Sequence, residues 1–133
     1  MRLTARSEYA LLALVYLVRQ PEDGVVPLET IARAQDIPVK FLEQIFLTLR
    51  RARILRSTKG HRGGYQLARA PQEISLAEIV RLLDGALAPT ESVSTYFYDA
   101  TPVEKEQGLL NVFKEIRDLV AARMEATTLA DVA

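Results

Sequence analysis

The 133-residue chain has no cysteine and no tryptophan, and its only histidine is His61. Without thiols there are no disulfides, thiolate zinc sites, cysteine nucleophiles or thiolate-held iron–sulfur clusters. A single imidazole in a basic turn leaves no plausible Ser/His/Asp set. Glu104 with Glu106, and Glu22 with Asp23, are acids on polar segments and read as solvated rather than as a paired catalytic site. No strand–GxxxxGK–helix phosphate cradle is present, because Gly60 to Gly64 leads into a strand. Apolar runs are short: the longest, Tyr9 to Val18, stops at Arg19-Gln20-Pro21, well below the ~20 residues a membrane span needs. It also lacks a small-residue cleavage site, so the expectation is a cytoplasmic protein that does not engage a membrane. Six glycines and six prolines are too few for a collagen-like or low-complexity chain. Hydrophobic residues at 49% and charged residues at 26% fit one ordinary globular domain with its own core.

The formal net charge is zero, but the charge is divided along the chain. Residues 1–70 carry 12 Lys+Arg against 6 Asp+Glu, and residues 71–133 carry 5 against 11. Positive charge is densest between Arg50 and Arg62. That window holds Arg50, Arg51, Arg53, Arg56, Lys59, Arg62 and His61 without one acid. A solvated basic face is the plain explanation, but six cations in thirteen residues without a counter-charge favour a polyanionic partner.

Element signals follow in a telling order. Thr4 can cap a helix reaching about Arg19, whose apolar positions cover more than one face and predict extensive burial. Pro21 to Gly24 is a turn. Pro27 precedes a short helix over 28–34, Gln35 to Ile37 turn the chain, and Pro38 opens a third helix over 39–52. Its apolar side is Phe41, Leu42, Ile45, Phe46 and Leu49. Its polar side is Lys40, Glu43, Gln44, Thr48, Arg50 and Arg51. Helix, short helix, turn, helix is the helix-turn-helix order. Residues 54–58 and 65–68 read as strands joined by Lys59-Gly60-His61-Arg62-Gly63-Gly64, a hairpin placed as the wing of a winged helix. Ser75 with Glu78 predicts a capping box for a helix over 76–83. Residues 85–104 lack a helical period, which marks a functional or loosely ordered loop. Residues 105–126 form a long helix with a stripe at Leu109, Phe113, Ile116, Val120 and Met124, flanked by Val112 and Leu119. Such a stripe either packs on its own domain or forms an oligomerisation arm. Residues 127–132 read as a capped final turn. The fold class is therefore mainly α with a small β-hairpin: a winged helix-turn-helix followed by a long dimerisation helix.

A recognition helix offers polar groups to base edges on one face and apolar groups to its core on the other. Glu43 can accept from a cytosine amine, Gln44 can pair with adenine, and Lys40 can reach guanine or a phosphate. At the wing tip, Lys59, His61 and Arg62 supply charge and groove contacts. Gly63 and Gly64 permit backbone conformations closed to other residues and let the main chain approach a phosphate. Tyr65 fits a core or hinge aromatic better than a stacking platform.

These residues resemble the winged-helix repressor family that includes IscR, NsrR, CymR and RirA. Met1-Arg2-Leu3-Thr4 with Tyr9-Ala10 resembles its opening. Phe41-Leu42-Glu43-Gln44-Ile45-Phe46, Leu49-Arg50, Ile54-Leu55 and Ser57 resemble its recognition-helix signature. Lys59-Gly60 and Gly63-Gly64-Tyr65-Gln66-Leu67-Ala68 resemble its wing, and Thr128-Leu129-Ala130-Asp131-Val132 its terminal motif. The likeness runs from residue 1 to about 84 and resumes in the last helix.

The resemblance implies a homodimer on an imperfect palindrome of double-stranded DNA, with the long helix as its seam. It implies DNA contacts from Arg2, Thr4, Pro38, Val39, Lys40, Glu43, Gln44, Lys59, His61 and Arg62, to which the basic window adds Arg50 and Arg51. Pro38 stands where a serine is common in the family, so one backbone donor and one side-chain cap are lost. Many members hold an iron–sulfur cluster through three cysteines in the loop before the long helix. Here the loop over 88–98 has none, and Glu8, near a further ligand position of some members, cannot hold a cluster alone. The expectation is a regulator without a metal cofactor, nearer the CymR-like branch, which controls sulfur metabolism and can bind a cysteine-biosynthetic enzyme. Residues 1–84 are then the DNA-binding domain, 85–104 the loop at the family's sensor position, and 105–133 the dimerisation helix with its terminal turn. Tyr96, Phe97 and Tyr98 in that loop suggest a docking surface for a small effector or a partner protein, or a plug beneath the dimer helix. A module of the same fold that works through a partner enzyme is the alternative function. An enzyme is not expected.

Overall fold

In the computed structural model, which describes residues 1–133, Thr4 caps α1 (Ala5–Val18) by accepting from the Ser7 N–H at 3.4 Å. Ser7, Ala10, Ala13, Leu14 and Leu17 of α1 are buried, and the helix runs through the centre of the core. The helix is largely buried, as its apolar pattern predicts, with Leu12, 43% exposed, the large apolar exception. α2 (Leu28–Ala34) and α3 (Val39–Arg51) follow, and both end in the same way. Ile37 N–H reaches Ala32 O at 2.8 Å and Asp36 N–H reaches Arg33 O at 3.4 Å. Ile54 N–H reaches Leu49 O at 3.0 Å and Arg53 N–H reaches Arg50 O at 2.9 Å. These are Schellman closures, each with a buried isoleucine folded back onto the helix. The left-handed position that glycine usually fills is held by Asp36 (φ 54°) and Arg53 (φ 60°).

β1 (Leu55–Thr58) pairs antiparallel with β2 (Gly64–Leu67), Leu55 opposite Leu67 and Thr58 opposite Gly64. A third segment joins them: Val26 and Tyr65 exchange both backbone bonds, at 2.9 and 2.7 Å. The hairpin is thereby fixed to the connection between α1 and α2, a pairing the short Val25-Val26 run did not announce. The two wing glycines take their reason from this packing. Neither has positive φ; the left-handed glycine of the turn is Gly60 (φ 103°). A Cβ on Gly63 would lie 2.2 Å from Thr58 O, and one on Gly64 would lie 2.3 Å from Val26 O. The predicted freedom of conformation is thus corrected to close approach of the chain's own backbone.

α4 (Leu76–Asp84) is capped by the Ser75 hydroxyl, which accepts from Glu78 N–H at 3.1 Å. The reciprocal half of the predicted capping box is absent, because the Glu78 carboxylate is held by Arg69 in a two-pronged pair at 2.6 and 2.8 Å. Residues 85–106 contain two 3-10 turns, Glu91–Val93 and Pro102–Lys105, so the long helix starts at Gln107 rather than at the predicted residue 105. α5 (Gln107–Ala126) then leads into α6 (Leu129–Val132), which starts in a complete Thr128/Asp131 capping box. Leu129 is fully buried in the same core as α1 and α3, and its N–H bonds Ile74 O at 2.9 Å. The final turn thus returns to the N-terminal half rather than standing apart with α5. No helix is long and apolar enough to cross a membrane.

α5 resolves the predicted stripe into two adjoining faces. Val120 and Met124 pack on Ala77, Val80 and Leu87, and Phe113 is half-buried. Leu109, Val112, Ile116 and Leu119, spaced three, four and three residues apart, are exposed. Arg81 to Glu125 at 2.7 Å and Arg117 to Val93 O at 2.9 Å secure the inner face to α4 and the preceding loop.

Candidate nucleic-acid interface

α3 divides its residues between core and solvent, except that Phe41, expected on the apolar side, is exposed beside Tyr9. Leu42, Ile45, Phe46 and Leu49 are buried, while Lys40, Glu43, Gln44 and Arg51 lie on the opposite, exposed side. Pro38 and Val39 are exposed at its first turn, and Pro38 supplies no side-chain cap. The helix therefore presents free backbone N–H groups and the positive end of its dipole to whatever approaches.

Both flanks of α3 are fixed. On one side the Tyr9 and Phe41 rings meet edge to face with centroids 5.5 Å apart, and Arg6 donates to Thr48 Oγ1 at 2.9 Å. These contacts lay α1 across α3, with Tyr9 beside Phe41 at the start of α3 and Arg6, nearest the arm that carries Arg2, beside Thr48 toward its end. On the other side Phe46 meets Tyr65 at 4.8 Å and Arg50 donates to Ser57 Oγ at 3.3 Å, which fixes the wing. Arg6, and its bond to the Thr48 already placed on the polar side of α3, were not legible in the sequence. The signal was modest: an arginine inside the first turn of α1 and a threonine four residues beyond Gln44.

The arm is tethered at a second point. Asp84 accepts from Thr4 N–H at 3.0 Å and from the Thr4 hydroxyl at 2.6 Å. Burial pushes this carboxyl upward, yet the Thr4 hydrogen bonds and the Arg6 guanidinium hold it below the usual carboxylate range. Ser7's buried hydroxyl faces the same carboxylate without reaching hydrogen-bond geometry. Thr4, expected at the DNA, thus spends its own proton on Asp84.

The cations of the basic window remain available. The chain's ion pairs are Arg69–Glu78, Arg81–Glu125 and Arg117–Asp118, so Arg50, Arg51, Arg53, Arg56, Lys59 and Arg62 have no carboxylate partner. Lys59, His61 and Arg62 are exposed at the wing tip, and Gly63 and Gly64 are half-buried beneath it. Cations without carboxylate partners at the end of α3 and on the wing, beside a polar helix face, match what a phosphate backbone and a groove require.

Residues 88–98 are held by hydrogen bonds within the loop and from Met1, Thr101 and Arg117. Ser92, Val93 and Ser94 are buried; Thr101 donates to Ser92 Oγ at 2.7 Å, and Ser94 Oγ accepts from Phe97 N–H at 2.9 Å. Tyr96 (69% exposed), Phe97 (44%) and Tyr98 (63%) face solvent, so they are not a buried plug beneath α5. The Arg81 guanidinium lies 4.9 Å from the Tyr96 ring centre, and Tyr98 donates to Glu104 at 2.6 Å. That bond to a carboxylate raises the Tyr98 phenol above its ordinary range.

Comparison with known proteins agrees with this geometry. A family described as "Rrf2: Iron-dependent Transcriptional regulator" matches residues 3–133. A Mycobacterium tuberculosis H37Rv protein, provisionally named the HTH-type transcriptional regulator Rv1287, is 39% identical over all of this chain and 81% of its own length. CymR of Bacillus subtilis, an HTH-type transcriptional regulator, is 30% identical over all of this chain and 90% of its own. The solved structure of CymR, the global cysteine regulator of B. subtilis, superposes with a TM-score of 0.81 at 29% identity, covering 100% of this chain and 96% of that one. The T. potens IscR structure gives 0.76 at 28% identity, covering 99% and 85%.

The iron in the family's description does not suit the donors of this chain. Residues 88–98 offer Glu91 and hydroxyls, without thiolate or imidazole, and no three His, Cys, Asp or Glu side chains converge anywhere. Thiolate-rich ligation of an iron–sulfur cluster is out of reach for such a set. A basic, winged reading head with relatives of this kind is a DNA-binding transcription regulator, and the chain belongs to the Rrf2 family.

Proposed function

We propose that this chain acts as a homodimeric repressor on an imperfect palindrome. Residues 1–84 are the reading head, 85–104 couple the two halves, and α5 supplies the seam. The observation that carries the reading is the exposed Lys40/Glu43/Gln44 face of α3, set between two anchored flanks whose cations have no carboxylate partner. Glu43 and Gln44 discriminate bases, and Lys40 reaches guanine or a phosphate. Arg2, Pro38, Val39, Arg50, Arg51, Lys59, His61 and Arg62 position the duplex, with Gly63 and Gly64 shaping the wing. Repression follows if the site overlaps a promoter. The outward row Leu109, Val112, Ile116 and Leu119 supports the dimer, with Phe113, Val120 and Met124 bracing it from within. A catalytic role is disfavoured: the sole imidazole, His61, stands exposed on the wing tip without a hydrogen-bond partner.

Selection from a randomised duplex pool, followed by affinity measurement across salt concentrations, tests this. A two-fold symmetric consensus and a steep fall of affinity with salt are expected. Lys59→Ala and Arg62→Ala should weaken all sequences and flatten the slope, whereas Glu43→Ala and Gln44→Ala should change the consensus. No enrichment, or a flat salt response, refutes the reading.

One observation favours an added role. Three consecutive exposed aromatics at Tyr96–Tyr98 form a surface able to receive a small effector or a partner protein. Such a ligand regulates only by binding two states of the dimer unequally.

A further inference from the structure

Beyond the base-reading residues, the C-terminal end of α3 and the hairpin form a shallow open cleft whose polar lining is Arg50, Arg53, Arg56, Ser57 and Arg69. The charge of Arg69 is answered by Glu78. Arg50 touches only the Ser57 hydroxyl. Arg53 and Arg56 make no side-chain hydrogen bond or ion pair within the chain, and both are exposed. Three guanidiniums therefore surround one concavity without a resident acid.

The backbone adds a second observation. Arg53 occupies the left-handed position of the Schellman closure of α3, at φ 60°. Glycine adopts that conformation freely and asparagine tolerates it, whereas a long side chain is strained there. The closure itself needs no guanidinium, since its bonds are made by the N–H groups of Arg53 and Ile54. Strain retained where a smaller residue would relax the fold points to what the side chain does.

The geometry points to an oxyanion site of phosphate type at Arg50, Arg53 and Arg56, beyond the base-discriminating Glu43 and Gln44. Planar guanidiniums with several donors each match tetrahedral oxygens. The phosphate is either a backbone phosphate of the bound duplex, beyond the segment read by α3, or a free phosphorylated solute. The duplex case rests on the DNA-binding reading above; the solute case does not.

The test uses the full chain carrying Arg53→Asn, which keeps the left-handed backbone, or Arg56→Gln, with Lys114→Gln on α5 as a control for net charge. Affinity for one long duplex is measured across salt concentrations. Separately, thermal melting without DNA is followed in inorganic phosphate and in chloride at equal ionic strength. If the phosphate belongs to the duplex, each cleft variant lowers the salt slope by about one per subunit and leaves the preferred sequence unchanged. If it is a free solute, phosphate raises the melting temperature of the wild type and of Lys114→Gln but not of the cleft variants. A wild-type slope and wild-type melting response in both cleft variants overturns the site while leaving sequence-specific DNA binding intact. Failure of the wild type to bind any duplex strikes the DNA reading, and the melting comparison then decides the cleft alone.

Discussion

Replacing Leu119 with aspartate should separate the dimer without harming the subunit. Leu119 is 72% exposed, Val112 51%, Leu109 46% and Ile116 40%. These four leave roughly two side chains' worth of apolar surface in water per subunit, and burying one such side chain is favourable by about 1.5–3 kcal/mol. Pairing two copies through this row therefore gains ~6–12 kcal/mol, set against ~4–15 kcal/mol of lost rigid-body freedom. The margin is narrow, so one charge per subunit decides it. Symmetry repeats the aspartate in both chains. At ~3 kcal/mol for each carboxylate taken out of water, the dimer loses ~6 kcal/mol, on the order of a 10⁴-fold weaker association. Sedimentation at micromolar concentration should show a monomer for Leu119→Asp and for Ile116→Asp, and palindrome affinity should fall to that of a half-site. Melting of the monomer should barely change, because Leu119 has water on most sides. Val120→Asp should behave oppositely and lower the melting temperature, since Val120 packs on Ala77, Val80 and Leu87. Wild-type sedimentation of Leu119→Asp would sink the seam, as would a monomeric wild type.

Arg53→Gly should stabilise the subunit by about 1 kcal/mol by relieving the left-handed strain at φ 60°, an increase readable by chemical denaturation; an unchanged or lower midpoint would contradict the strain argument. The folded-state carboxyl of Asp84 lies below its unfolded value, so its contribution is present above ~pH 4 and is lost as pH falls through the folded value. Protection of the Thr4 and Ser7 amides from hydrogen exchange should fall over that acid window, and Asp84→Asn should lose it at neutral pH; constant protection would refute the tether. Tyr96→Ala and Tyr98→Ala should leave melting and basal DNA affinity unchanged because both rings are exposed, and loss of the DNA response to cell extract would assign the loop a regulatory role. A collapse of folding in either variant would show that these rings are packing after all.

Local rules made much of the molecule legible. The Thr4 cap, the prolines at 27 and 38, the apolar period of residues 39–49 and the glycine turn after Lys59 are short-range signals. The structure places α1, α2, α3 and the hairpin close to where those signals put them. The basic window and the polar side of α3 are also one-dimensional facts, because a helix exposes whatever its core-facing residues leave over. Contacts between distant segments were not legible. The wing is held by Val26, nearly forty residues before Tyr65 in the chain, and the arm by Asp84, eighty residues beyond Thr4. No periodicity encodes either meeting. The spacing of Ser75 and Glu78 announced a capping box, but the fold brings Arg69 against Glu78, and the arginine takes the carboxylate. The stripe on α5 shows the same limit. Its spacing determined that the helix has an apolar side, but that side is wider than one contact needs. The docking of α4 and residues 87–93 covers one edge of it and leaves Leu109, Val112, Ile116 and Leu119 in water. Sequence fixes which side chains share a helix face, because pitch is a property of the backbone alone. Which part of that face is already covered depends on where the rest of the chain comes to lie, and that is decided by packing in three dimensions.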